Sequence, residues 1–432
     1  MTSEVVLANG FGVVVAADTA TTTGGKRTYD GAIKLQGLAQ PHAIAVLHAG
    51  SVLIHGIPYQ THIENWSRSL PDKAFNKVAE YALSFKAFLK ESIADNQPEQ
   101  DLLRDYLGDF EERIHRIRHA LDYDDALTAG GITKYFDRRL ERYGKKAQRK
   151  QNPFSEAIFL KLGLNSPKNS LEEECRNEGC PDLRHSSIEG VIEKILGEFL
   201  DDRSRKACME WAKSWLGDFH PTSKSATVIF TGYGQKDFVP ACISLNIEAM
   251  VLDRLFCLEG DAMTARRFRA NGGYSLLATY GMDDEISRFL KEAGLHPQYS
   301  HRVVSDSLRD FQATDQSSND SDRPQSPDQE STPQEPSTRE QLTRAEAEIN
   351  MNLAEIEDNN MMRFQSVISG MNLKNLGSIA TRLVQLQNLA LDLRGELPVV
   401  GANVVLGVVT KTDGFYCVDP MTGERLNQRF VS

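Results

Sequence analysis

No apolar run in the chain approaches the roughly 20 residues that a membrane-spanning helix requires. The most apolar stretches, Ala43 to Leu47 and Ala402 to Val409, have the length of strands. With a mean hydropathy of −0.40 and 25 % charged residues, the composition argues against a membrane protein and points to a soluble one. The six cysteines (Cys175, Cys180, Cys208, Cys242, Cys257 and Cys417) contain no C-x-x-C pair, so a disulfide framework is not expected. Reduced thiols and a cytoplasmic location are. A basic region followed by an apolar stretch and a small-residue cleavage site is missing after Met1, which makes secretion unexpected. Excess positive charge is absent too: the net charge is −11, which disfavours general nucleic-acid binding. No Walker-type phosphate loop is present, so nucleotide-driven work by this chain is not expected. Neither a cofactor nor a metal is expected.

What is present is hydrophobic patterning of two kinds. Val5 to Asp18 reads VVLANGFGVVVAAD, two β-branched runs joined by Asn9-Gly10, a strong hairpin signal. Ile33 to Leu35 and Ala43 to Leu47 suggest a second strand pair. After Ala49-Gly50-Ser51 a helix carrying Ile54, Ile57 and Ile63 is expected, followed by a second over Lys73 to Ser92, with Phe75, Val78, Tyr81, Phe85 and Leu89 at helical spacing. The opening order is thus β-β-β-β-α-α. Residues 97–224 are charged and helix-prone, with Leu102, Leu107, Phe110, Ile114 and Ile117 on one amphipathic face, and read as a helical insertion. Strand character returns at Ala226 to Gly232, Ala241 to Leu252 and Tyr274 to Tyr280, then a helix over Asp283 to Ala293. Asp306 to Thr338 is rich in Ser, Asp, Gln and Pro, and too poor in bulky apolar residues to offset ordering entropy, so disorder is expected there. A helix over Leu376 to Leu393 and a final strand pair within Ala402 to Val418, turning at Asp413-Gly414, complete the chain.

Asp18 stands sixteen residues after Thr2, and Lys34 sixteen residues after Asp18. The segment TSEVVLANGFGVVVAAD, then TATTTGGK, AIKL and AVLHAGS, resembles the N-terminal third of proteasome β-subunits and their bacterial peptidase relatives. Further on, ATVIFTGYGQKDFVP, LLATYGMDDEISRFL and VVGANVVLGVVTKTDGF resemble later parts of the same superfamily, nearest its bacterial proteasome-like proteins. The likeness covers roughly residues 1–95, 225–300 and 360–418. It implies an α+β fold, a four-layer αββα sandwich of the N-terminal-nucleophile hydrolases carrying a helical insertion. The corresponding segments are 1–96, 225–305 and 346–432 for the sandwich, 97–224 for the insertion and 306–345 for a disordered linker.

The resemblance also implies site residues. Thr2, freed by removal of Met1, would be the nucleophile, Lys34 would adjust its protonation, Asp18 would partner Lys34, and the Gly50 N–H would serve the oxyanion hole. The small Thr2 side chain suits Met1 removal, so no propeptide is expected. A threonine hydroxyl is a weak nucleophile and needs an adjacent base. A free terminal amine, with a reference pKa of roughly 7.7 to 8.0, is suited to be one. Two supporting positions depart from the family: the turn is Gly281-Met282-Asp283 where a serine is usual, and Gly395-Glu396-Leu397-Pro398 lacks the usual Asp and Ser. The function implied is threonine-dependent hydrolysis of peptide or other amide bonds, by a homo-oligomer forming rings or helical stacks. An inactive scaffold subunit and a small-molecule amidohydrolase are the alternatives.

Three other groups carry residue types that bind metals or nucleic acids. His115 and His119, at i, i+4 with Asp122, Asp124 and Asp125 nearby, have the spacing of two metal ligands, but Arg116 and Arg118 make a solvated charged face the better reading. Cys175, Cys180 and His185 read as a surface loop rather than a zinc site. Lys145, Lys146, Arg149 and Lys150, with Tyr135 and Tyr143, read as a solvated helix end rather than a nucleic-acid surface.

Overall fold

The computed structural model describes residues 3–23, 26–30, 32–124, 126–147, 188–216, 225–251, 254–260, 262–267, 272–281, 284–292, 358–393 and 403–426. Cys175, Cys180, His185, Asp125, Arg149, Lys150 and the stretch expected to be disordered, 306–338, lie outside them, as does Thr2.

The architecture is mixed α+β, with two antiparallel sheets and several helices. Strands β1 (Ser3–Asn9) and β2 (Gly12–Asp18) form the expected opening hairpin, in the register Val6↔Val15. Its two-residue turn is Gly10-Phe11, however, not Asn9-Gly10. Asn9 is instead a buried strand residue: its Oδ1 accepts the Phe11 N–H at 2.9 Å, and its Nδ2 donates to the carbonyls of Ile368 and Met371 at 3.0 and 2.7 Å. A small hairpin of β3 (Ala20–Thr23) and β4 (Lys26–Asp30), not anticipated from the Thr/Gly-rich sequence, follows.

Next come β5 (Leu35–Gly37) and β6 (Ala43–Gly50). The helix expected to carry Ile54 and Ile57 begins only at Tyr59. Those two residues belong instead to a minimal hairpin, β7 (Leu53–Ile54) and β8 (Ile57–Pro58), leading into α1 (Tyr59–Ser69). His55 and Gly56 both take left-handed backbone angles, φ 47 and 79°, the combination that a tight two-residue hairpin requires. Helix α2 (Val78–Asn96) starts after Phe75. Among the described residues from 97 to 224 the elements are all helical: α3 (Glu99–Tyr123), α4 (Ala129–Ala147), α5 (Ile188–Leu196) and α6 (Asp202–Leu216), with a 3-10 turn at Gly197–Phe199.

The chain then returns to strands, β9 (Ala226–Tyr233), β10 (Ala241–Val251), β11 (Arg254–Glu259), β12 (Met263–Thr264), β13 (Arg266–Arg267) and β14 (Tyr274–Gly281), and to α7 (Asp284–Glu292). Residues 358–369 are helical (α8), followed by α9 (Leu373–Leu393), β15 (Val404–Thr410) and β16 (Gly414–Val418). The first sheet runs β13-β14-β1-β2-β15-β16 and the second β11-β10-β9-β6-β5.

Both faces of each sheet are covered, which is why β1, β2, β6 and β9 read as near-continuous apolar runs rather than alternating ones. Val6, Ala8, Val13 and Val15 of the first sheet pack on Ala45, Leu47, Ile229 and Cys242 of the second. Val5, Leu7, Val14 and Ala16 point the other way, onto Ile286 and Leu290 of α7 and Leu376, Ala380 and Val384 of α9. On the far side of the second sheet, Val46, Val228 and Phe230 meet Ile63 and Trp66 of α1 and Tyr81 and Phe85 of α2. Trp66, Phe85 and Phe230 pack as a triad with ring centroids 5.3 to 5.6 Å apart. Helices α3 to α6 close around Phe110, Phe136 and Trp211, and this separate core meets the second sheet at Ala249 and Phe256.

Candidate functional site

The register of the strands gathers several ends at one edge of the two sheets. Ser3 lies opposite Gly281, Glu4 opposite Ala17, and Asp18 opposite Val404 in the first sheet; Gly50 lies opposite Ala226 in the second. At this edge, Asp18 and Lys34 form an ion pair with Nζ to Oδ1 at 2.9 Å and side chains only 0 and 1 % exposed. The same Oδ1 accepts the backbone N–H of Ser3 at 2.8 Å, and Oδ2 accepts that of Ala20 at 3.0 Å. A buried charge is tolerated only when paired and hydrogen-bonded, and this carboxylate accepts from Lys34, Ser3 and Ala20. Asp18 is held by its place as the last residue of β2, and Lys34 by its position just before β5, where its carbonyl accepts the His48 N–H at 3.1 Å.

Gly50 ends β6, two residues beyond His48. It is exposed and takes φ +88°, and a Cβ there would stand 2.5 Å from the Ser225 carbonyl oxygen. Next to it the Ser51 N–H donates to that same oxygen at 3.0 Å. Of the four residues expected from sequence, Asp18 and Lys34 are therefore bonded to each other, and Gly50 sits on the strand that fixes Lys34. Thr2 lies outside the described residues; the first described residue, Ser3, is the one bonded to Asp18. Gly281, at φ +79°, lies opposite Ser3; Met282, Asp283 and the 395–398 segment are outside the described residues. At the start of β15, the Asn403 carbonyl accepts the Thr19 N–H at 3.2 Å.

Residues that sequence reading did not single out stand behind this pair. His48 faces α1, as Ile44 and Val46 do, and its ring stacks on Tyr59 with centroids 6.1 Å apart and planes 27° from parallel. Burial, and then the charge of Lys34, hold the His48 ring down at about 4. His62, one turn along α1, is likewise lowered to about 4 by burial and then by His55, and its Nδ1 meets Ser92 Oγ at 3.3 Å. The Tyr59 hydroxyl is buried without a hydrogen-bond partner among the described residues, and burial drives its ionisation far up. The alternation of β6 was the available signal for His48, since even-numbered positions face the helices.

Both rings are neutral in the folded protein, whereas the unfolded chain takes up protons near pH 6.5. The stability they permit is therefore fully present above about pH 6.5 and is lost as pH falls toward 4. For His48 the expected loss between pH 7 and pH 5 is about 2 kcal/mol, and His62 adds to it in the same direction. Urea midpoints at the two pH values check this: His48→Phe should narrow the difference, and an unchanged difference contradicts the assignment.

Of the other groups, the pair His115 and His119 lies within the described residues. His115 and His119 lie on the exposed C-terminal half of α3, where Arg116 pairs with Glu112 and His115 approaches Glu111 at 3.8 Å. Among the described residues no group of three His, Cys, Asp or Glu side chains could hold a metal ion. No described helix is long and apolar enough to cross a membrane. Neither a protein-family model nor a curated protein matches the chain.

Proposed function

We propose that this chain is a threonine-type N-terminal-nucleophile hydrolase acting on peptide or other amide bonds, built on a proteasome-like four-layer αββα sandwich with a helical insertion at 97–224. The observation that carries the reading is a single oxygen: Asp18 Oδ1 accepts from both Lys34 Nζ and the Ser3 N–H. One carboxylate thus ties a buried ammonium group to the residue that follows Thr2. In this reading the chain is cut after Met1, and the freed Thr2 amine is the base. A cation nearby disfavours a second positive charge, so Lys34 keeps that amine neutral and able to take the hydroxyl proton. The hydroxyl oxygen attacks the carbonyl carbon, the amide C–N bond breaks, the amine leaves with the proton, and water then hydrolyses the ester on Thr2. The Gly50 N–H is assigned to the oxygen that becomes negative during both steps. The protein would work in the cytoplasm as a homo-oligomer, with any unfoldase a separate chain.

A second reading, a sandwich kept as an inactive scaffold, is favoured by the sequence Gly281-Met282-Asp283, which lacks the serine of the Gly-Ser-Gly turn in the family the chain resembles. A panel of fluorogenic peptidyl amides separates the two. Release of fluorophore by wild type but not by Thr2→Ala supports the hydrolase, and release by neither supports the scaffold. Activity surviving in Thr2→Ala would remove Thr2 as nucleophile.

A further inference from the structure

The eight residues after Gly50 carry an unusual anchor. His55 is the single non-glycine residue with left-handed backbone among the described residues, at φ 47°. Its Nε2 accepts the backbone N–H of Met250, 195 positions away, at 2.9 Å, and its carbonyl accepts from Gln97 Nε2 at 3.3 Å. Neither contact is needed to make a two-residue turn, for which glycine is the easier residue. Met250 is near the end of β10, and Gln97 lies between α2 and α3, where the helical insertion begins. Met250 and Ile54 share one buried cluster with Leu102 of α3.

The loop so clamped touches the candidate site at both ends. Its head is Gly50. At its tail the Tyr59 N–H donates to the Val52 carbonyl at 3.0 Å, and the Tyr59 ring stacks on His48, whose N–H donates to the Lys34 carbonyl. Resting on the hydrolase reading above, we infer that His55 is a positioning residue: through Met250 and Gln97 it ties the Gly50 loop to β10 and to the root of the helical insertion, and so sets the geometry of Gly50 and Lys34. A partner or substrate that shifts the root of α3 would then act on the site through this clasp.

His55→Gly tests it, because glycine keeps the left-handed turn while deleting the ring. His55→Asn, which tolerates that backbone but has a shorter side chain, is the second variant. Two readouts are taken on the full-length protein: hydrogen exchange of the amides from residue 50 to 59, and the first-order rate of covalent modification by a peptidyl epoxyketone. The expected result is a urea midpoint lowered by no more than the loss of one hydrogen bond explains, faster exchange in that segment, and modification slowed on the order of ten- to a hundredfold with little change in apparent affinity. Unchanged exchange overturns the clasp. Faster exchange with a wild-type rate of modification overturns its positioning role and leaves a turn residue only. A wild-type protein that is itself never modified overturns the hydrolase reading, and this inference with it, a result distinct from the other two.

Discussion

Asp18→Ala is expected to cost about 3 to 5 kcal/mol of stability and to abolish modification of the N-terminus. The magnitude follows from what the substitution leaves behind rather than from the contact it removes. Lys34 Nζ sits 2.9 Å from Asp18 Oδ1 with almost no solvent exposure, so deleting the carboxylate strands an ammonium group in the interior. The Ser3 and Ala20 N–H groups lose their acceptor at the same time. Two comparisons separate these contributions. Asp18→Asn keeps an oxygen for a backbone N–H and loses the charge, so it is expected to fall between wild type and Asp18→Ala. Adding Lys34→Met to Asp18→Ala removes the stranded cation, so the double variant is expected to be more stable than Asp18→Ala alone. Urea unfolding of the four proteins measures this, and a double variant no more stable than Asp18→Ala contradicts the account of the pair.

Gly50→Ala is expected to slow N-terminal modification on the order of a hundred- to a thousandfold, the usual effect of losing one donor to a developing oxyanion. Two features make the position intolerant. The backbone is left-handed, at φ +88°, which costs a residue with a Cβ roughly 1 to 2 kcal/mol. The new Cβ would also stand 2.5 Å from the Ser225 carbonyl oxygen, a backbone atom that cannot step aside without moving the start of β9. The peptide that carries the proposed N–H must therefore turn. Gly272→Ala is the matched control, since Gly272 has φ +68° and its nearest neighbour would be Arg267 Nη2 at 3.9 Å. It should lose similar backbone stability and keep wild-type reactivity; equal loss of reactivity in both variants would mean that Gly50 acts through stability alone.

Some of this was readable in the chain and some was not, for definite reasons. The valine-rich runs of β1 and β2 announced a hairpin because both faces of the first sheet are buried, and the spacing of Phe110, Ile114 and Ile117 announced an amphipathic helix, whose apolar face the structure buries in a separate core. The Asn9-Gly10 pair misdirected the turn by one residue, since Asn9 is committed to carbonyls at Ile368 and Met371, more than 350 positions away. Ile54 and Ile57 carried helical spacing but were overridden by His55, whose left-handed turn is held by Met250. Local propensity cannot report such distant partners. At the candidate site, Asp18 and Lys34 were singled out by resemblance and spacing, and the bond between them is found in the structure. His48 passed unnoticed, because one histidine in an apolar strand reads as core until its neighbours Tyr59 and Lys34 are known.

The most direct test of the central claim is the intact mass of the purified protein, before and after incubation with a peptidyl epoxyketone, a reagent that reacts with the hydroxyl and the free amine of one N-terminal threonine together. The account predicts a chain lacking Met1 that gains the mass of a single inhibitor, and a Thr2→Ala protein that gains none. A chain that keeps Met1, or one that loses it and gains no inhibitor, would contradict Thr2 as the nucleophile.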